Sequence, residues 1–505
     1  MRKRLAAAVQ DMPRRGNCQR LGLFPRLCPF SRWSILGAPH SATSRRSELR
    51  LRRSRLGSVL LSPYSSWRTR LPFFYGWVVV ASLFLALAIS YGVYYSFSVF
   101  YVALLEEYGW SRASTAGVFS LFVLVIAAGG AVAGTLIDRF GPSKVVPVGG
   151  ILLALGLVAT SRLTELWQFY LYFGVISGLG LSCSGWVPSV TLVNRWFADK
   201  RGVAMGIASA GIGFGTVSVV PFVQHLISTV GWRTAFLVLA ALSLILIAPQ
   251  ATALLKGHPA ELGLKPDGNS LGGSPAGARA VQRPMVVVDA VWAARPWSVA
   301  TAMGTPRFWL LGATTFFGIL TNQMLWVHQA AYLVDNGYDK MLAASMVGLA
   351  GLASMPGKVF WGNLADRLGR ELAYSMGMAA MLVAIGLLVL TGAFPVVALV
   401  PLFAVAFAVG YAVTAPILPI SVADVFGGRN FGAIFGVVNL NSGLGSAVGA
   451  WLAGFVFDVT GSYLSAFAAA AASSGLSATC MWLAAPRRVR RVPGRHTVKQ
   501  RDRGD

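Results

Sequence analysis

Charge is scarce in this chain. Asp, Glu, Lys and Arg make up 12% of its 505 residues, about half the share of an ordinary soluble domain. That deficit excludes a water-soluble globule, a disordered chain and a charged coiled coil. Acids are scarcer still, 18 in all, and those within the apolar body lie near predicted helix ends. A membrane-embedded hydrolase or redox enzyme therefore lacks central catalytic carboxylates, and the chain is expected not to be an enzyme. Cys18, Cys28, Cys183 and Cys480 are too few and too scattered for a disulfide framework, and no Cys/His spacing suits a structural metal. No disulfide, metal or cofactor is expected. No G-x-x-x-x-G-K-[ST] loop occurs, so ATP-driven transport has no support. The glycine runs at 211–215 and 443–449 sit inside apolar stretches with no βαβ unit around them; small residues there suit helix-to-helix contact.

What is present is apolar. Hydrophobic residues make up 55% of the chain and the mean hydropathy is +0.62, enough for about twelve spans at about 20 residues each. Spans are predicted at 74–101, 114–136, 145–163, 166–193, 202–229 and 232–255, then at 306–333, 342–363, 372–392, 395–421, 431–457 and 461–484. The expected fold is all-α, twelve transmembrane helices in two six-helix bundles, 73–255 and 306–485. A Gly-, Pro- and charge-rich linker, 256–305, too polar for hydrocarbon, joins them, and a basic tail, 486–505, follows.

A net charge of +25 would suit a nucleic-acid binder, but its distribution excludes one: the basic residues sit in tails and short loops. With both termini on the cytoplasmic side, 38 of the 43 Lys/Arg fall on that side and four (Arg112, Arg162, Arg233, Lys340) on the other; without the tails the bias is still 14 to 4. The expected setting is a cell (inner) membrane with both termini cytoplasmic. Residues 1–72 hold sixteen Lys/Arg against Asp11 and Glu48 and cannot build a core. Three readings stand for them: a transit peptide, a polybasic arm for anionic lipid, or a disordered tail from an over-extended gene start.

The two halves repeat. Gly134-Thr135-Leu136-Ile137-Asp138-Arg139-Phe140-Gly141 returns as Gly362-Asn363-Leu364-Ala365-Asp366-Arg367-Leu368-Gly369, offset by 228 throughout, as Gly337 is from Gly109. Gly206, Gly213 and Gly215 match Gly436, Gly443 and Gly445 at 230. Duplicated six-helix units mark transporters that enclose a site near the bilayer midplane. In the repeated motif, Gly134 and Gly362 are expected to let helices approach, and Gly141 and Gly369 to permit a tight turn. Asp138/Arg139 and Asp366/Arg367 are expected at the cytosolic rim as a latch made in one state and broken in the other.

At these residues the chain resembles the major facilitator superfamily, over about 72–485. Tyr75-Gly76-Trp77-Val78-Val79-Val80 with Gly92, Ser96, Val99 and Phe100, and Arg201-Gly202 with Ala204, Gly206, Ala208, Ala210 and Gly211, resemble the helix 1 and helix 5 signatures of monocarboxylate transporters; oxalate/formate antiporters are similar there. The resemblance implies a rocker-switch carrier of small organic anions, often proton-coupled. It also implies that Lys358, four residues before Gly362, stands where that family keeps an arginine. Ser354 and Tyr95 stand where it keeps the aspartate and lysine of its proton relay.

Lys358 is the only Lys or Arg away from the ends of a predicted span, at a cost of roughly 2.5–3.5 kcal/mol for a lysine at a helix centre. It is the expected substrate-carboxylate partner. The alternative is snorkelling, since it lies about 12 Å along the helix from Asp366. His328, near the outer end of the seventh span, is either a group carrying a coupled proton or a satisfied interfacial histidine. Asn322 and Gln323 are candidate donors to a carboxylate, and Tyr91 and Tyr95, one turn apart, either line the cavity or pack. The expected function is secondary transport of a small organic anion, a monocarboxylate, by alternating access, as symport, exchange or uniport, in a monomer that binds lipid and no nucleic acid. An efflux carrier for another metabolite or drug, and a non-transporting sensor, are the alternatives.

Overall fold

The computed structural model describes residues 73–197, 200–268, 286–428 and 430–491; the basic segment 1–72 and the tail beyond 491 lie outside them. Twelve helices among the described residues are long and apolar enough to cross a membrane. They are α1 Gly76–Tyr108, α2 Arg112–Phe140, α3 Pro142–Thr160, α4 Leu166–Trp196, α5 Arg201–Val230 and α6 Trp232–Leu254 in the first half. The second half has α7 Pro306–Asp335, α8 Lys340–Leu368, α9 Arg370–Ala393, α10 Leu399–Phe426, α11 Phe431–Thr460 and α12 Leu464–Ala484. The end where α1 begins and α12 finishes is called the tail side, the opposite end the far side.

The sequence repeat is a structural one. Both bounds of α8 are displaced by 228 from those of α2, and both bounds of α11 by 230 from those of α5. Gly141 and Gly369 turn the chain at φ 82° and 101°, a backbone region in which a side chain is strained, and the next helix starts at once. The matched glycines have matched surroundings. A Cβ on Gly215 would strike the carbonyl of Ala88 in α1, and one on Gly445 the carbonyl of Phe316 in α7, whereas at Gly206 and Gly436 it would meet nothing within 4 Å. Thus α5 packs backbone to backbone on α1, and α11 on α7. Between the halves, α5 meets α8 and α2 meets α11.

Three details depart from the sequence reading. The Asp138/Arg139 pair belongs to the last turn of α2 rather than to a loop, because neither Gly nor Pro interrupts Thr135–Phe140 before Gly141-Pro142. The fourth span is not a uniform α-helix: Tyr170–Ser177 is π-helical and Gly185, at φ −94° and ψ −131°, breaks it. The linker is more than a spacer. Val286–Val287 pairs antiparallel with Arg490–Arg491, and Ala290–Ala294 and Val299–Met303 are short helices. Trp292 Nε1 donates to the Val425 carbonyl at 2.8 Å, and Trp297 sits edge-on to Phe426 at 5.1 Å. Apolar tryptophans in a polar stretch dock it on the end of α10.

Gly215→Ala is expected to lower stability by about 1–3 kcal/mol through overpacking, and Gly206→Ala to raise it slightly, by up to about 1 kcal/mol, through helix propensity. Thermal unfolding of the two variants in detergent should shift in opposite directions.

Candidate substrate site

An aromatic layer joins the halves at mid-depth. Tyr91, Tyr94 and Tyr95 lie within one turn of α1. Tyr95 Oη and Tyr411 Oη of α10 are 3.1 Å apart, and the buried Trp326 of α7 lies tilted at 4.6 Å from Tyr95 and edge-on at 5.4 Å to Tyr411. Gln323 donates to Tyr94 Oη at 2.6 Å. A polar side chain at this depth must find a partner or a ligand, since lipid offers none.

Lys358, half-buried on α8, reaches this layer from the second half, with Nζ 5.7 Å from the centre of the Tyr411 ring. Among the described residues no carboxylate oxygen lies within 4.0 Å of it. The ring face gives an ammonium a weak electrostatic hold, about 0.5–2 kcal/mol, which leaves most of its desolvation cost unmet. Pro356 interrupts the hydrogen bonding of α8 one half-turn earlier. Ser354, one turn before Lys358, is spent on the Gly351 carbonyl at 2.8 Å.

The remaining candidates divide. Asn322 is buried with neither amide atom partnered among the described residues, as are Trp326 Nε1 and both amide atoms of Gln329. At i, i+4 and i+7 these three share one face of α7, so that face holds unused donors and acceptors beside Tyr411. His328 points elsewhere. Its Nδ1 is 3.0 Å from Tyr463 Oη and its Nε2 2.8 Å from the Ala450 carbonyl, so both nitrogens are engaged between α11 and α12 rather than open to the Lys358 chamber. Trp326 and Tyr411 were not singled out from the sequence; the one signal there is a lone polar-tipped ring in an otherwise apolar run.

The far side is closed by groups from both halves. Asp458 of α11 caps the N-terminus of α2, accepting from Arg112 N at 2.9 Å and Ala113 N at 2.7 Å. Arg112 Nη1 is 2.6 Å from Asp335 of α7 and 2.7 Å from Tyr463 Oη, its guanidinium lying 3.8 Å over Phe457. Lys340 and Glu106 add a more exposed pair at 2.6 Å. Gly454 permits this closure: a Cβ there would be 2.7 Å from the Arg112 backbone. Toward the tail side the helices part. Gly213 and Gly351 are pressed on Met355 and Thr216, whereas a Cβ on Gly134 or Gly362 would meet nothing nearer than 3.9 Å. The close approach anticipated at Gly134 and Gly362 is thus made instead by Gly213, Gly351 and Gly454, nearer the closed end. The tail-side charges bond within their own halves: Asp138 with Arg195, and Arg370 with Asp366 at 2.6 Å and Asp424 at 3.1 Å. Arg139 and Arg367 are exposed.

The family model described as Major Facilitator Superfamily matches residues 83–440 and 311–503. The chain belongs to that superfamily, on its monocarboxylate transporter branch. It is 30% identical over 403 residues to monocarboxylate transporter 13 of Bos taurus, covering 79% of this chain and 86% of that one. To monocarboxylate transporter 11 of Homo sapiens it is 30% identical over 404 residues, 78% and 79% of the two chains. A bacterial homolog of the human lysosomal transporter Spinster, solved inward-facing and unoccupied, superposes with a TM-score of 0.59 at 17% identity, over 82% of this chain and 98% of that one; this likeness concerns the fold. The protein is an integral multi-pass membrane transporter of the facilitator type, and not an enzyme.

In this facilitator the Asp458 cap is a charge-assisted bond to a helix N-terminus, worth about 0.3–1 kcal/mol at an exposed position. Asp458→Asn keeps the shape and removes the charge, so the far side should open up to about fivefold more often. Spin labels on Thr164→Cys and Val396→Cys, both exposed at that end, should report a second, longer distance in the variant; an unchanged distribution would remove Asp458 from the gate.

Proposed function

We propose that this facilitator carries a small organic anion, a monocarboxylate, through the chamber between its halves, with Lys358 as the charge that draws the carboxylate. The observation that supports this most is an ammonium held inside the helical bundle with no carboxylate within 4.0 Å among the described residues. An incoming anion would supply the missing neutralisation at a place where the effective dielectric constant is low. Lysine offers a point charge rather than arginine's two-pronged fork, so orientation of the substrate falls to its surroundings: Tyr95 and Tyr411 as hydroxyl donors, Asn322 as an amide, and Tyr91 as wall. The names of the relatives, monocarboxylate transporters, agree with this chemistry.

Alternating access follows from the two closures. With the far-side bonds made and the tail side parted, substrate reaches Lys358 from the tail side, which the positive-inside bias makes cytoplasmic. Breaking the Arg112–Asp335 and Asp458 contacts, while Asp138, Arg139, Asp366 and Arg367 draw together at the tail side between Gly134/Gly141 and Gly362/Gly369, gives the opposite opening. The anion shifts this balance only by binding the two states unequally. Tyr95 and Ser354 replace the acid–base pair of the resembled relay, and His328 is held by Tyr463 and Ala450, so we assign the Lys358 chamber the anion alone and no fixed proton carrier.

Counterflow of labelled short-chain monocarboxylates in proteoliposomes tests the reading, because it registers carriage with or without a coupled ion. Lys358→Ala should reduce counterflow to the level of empty vesicles while thermal unfolding stays within a few degrees of wild type, and Lys358→Arg should retain part of it. Full counterflow by Lys358→Ala would overturn the assignment.

A further inference from the structure

The tail-side end of the second half carries arginines that the transport cycle does not use. Arg307, in the first turn of α7, lies with its guanidinium carbon 4.2 Å over the Trp292 ring of the linker, and Arg295 lies 4.9 Å over Trp297. The Arg307 Nη1 is buried and has no hydrogen-bond partner among the described residues. Its charged neighbours are Asp289 and the exposed Arg488. Asp289 is occupied with the Trp292 backbone N–H at 2.9 Å and makes no ion pair with Arg307 within 4.0 Å among the described residues. Two guanidinium groups and one carboxylate thus share this corner, the carboxylate committed to the Trp292 N–H, and one buried Arg307 donor is left without a partner among the described residues.

Beside them the linker exposes apolar side chains. Val287, Val288 and Val291 are 49%, 48% and 87% exposed on a segment that the β-pairing with Arg490–Arg491 and the Trp292 and Trp297 contacts hold in place. Trp309, two residues after Arg307, is 56% exposed. Valines and a tryptophan standing out next to cations form the pattern of a surface that enters the headgroup boundary of a bilayer.

We propose that this corner is a binding site for an anionic phospholipid headgroup. Its phosphate accepts from the partly exposed Arg307 guanidinium and from Arg488, while Val287, Val288 and Val291 enter the edge of the acyl layer. Free phosphate would satisfy the arginines and leave the valines in water, so the pairing of the two features selects lipid. Bound there, the lipid ties the linker and the second half to one leaflet while the first half rocks.

The test uses the full chain in nanodiscs of phosphatidylcholine alone or with about a third phosphatidylglycerol, read by thermal unfolding and by native mass spectrometry of retained lipid. Wild type should unfold several degrees higher with phosphatidylglycerol and retain one more such lipid than Arg307→Gln/Arg488→Gln, which should lose most of the shift. Val287→Ser/Val291→Ser should lose part of it, Arg307→Lys/Arg488→Lys should keep part, and Lys358→Ala should keep all, separating this site from the transport site. An equal shift and equal lipid retention in the Arg307→Gln/Arg488→Gln variant would overturn the proposal, as would a full shift produced by millimolar inorganic phosphate without the lipid.

Discussion

One ammonium inside the helical bundle, with no carboxylate within 4.0 Å among the described residues, sets the terms for the chamber around it. A lysine inside a span costs a few kcal/mol on insertion scales, and Lys358 recovers only a fraction of that from the face of Tyr411. A core selected for stability alone would place an apolar residue there. The surroundings are consistent with a ligand making up the difference, since the nearby face of α7 also leaves Asn322 and the Trp326 indole N–H without partners among the described residues. Buried polar groups left open together are most economically explained by a shared visitor.

On the reading proposed above, the duplicated scaffold turns that binding energy into movement. Backbone-to-backbone packing at Gly215 and Gly445 makes each half stiff, so the halves move as units rather than deforming. Contacts between halves are of a different kind. At the far side they are ionic and directional, with Asp458 on the α2 N-terminus and Arg112 on Asp335, whereas the tail-side ions Asp138 and Asp366 are satisfied within their own halves. Charged contacts that can be made at either end, across a stiff pair, are what a two-state rocker needs.

Much of this was legible in the sequence because it rests on regular spacing. Twelve apolar runs, the 228–230 offset and the lopsided Lys/Arg distribution each report the fold independently, and Lys358 stands out as the one Lys or Arg away from the ends of a span. What was not legible depends on distance in space. Trp326 and Tyr411 read as packing because an aromatic in an apolar run carries no mark of facing another half. His328 admitted two readings, and only the partners of its ring nitrogens separate them. Gly134 and Gly362 were read as approach points by residue type, yet the close approaches fall at Gly213, Gly351 and Gly454 because the halves converge toward the far side. The linker's composition hid its docking, since two tryptophans among prolines and glycines give no periodic signal.

The most direct measurement of the central claim is equilibrium binding of a short monocarboxylate to purified protein by calorimetry, comparing wild type with Lys358→Met, a substitution of similar volume without charge. The account predicts binding to wild type that weakens with salt as an ion pair should, and at least tenfold weaker binding to Lys358→Met. Equal affinity in both proteins would contradict it.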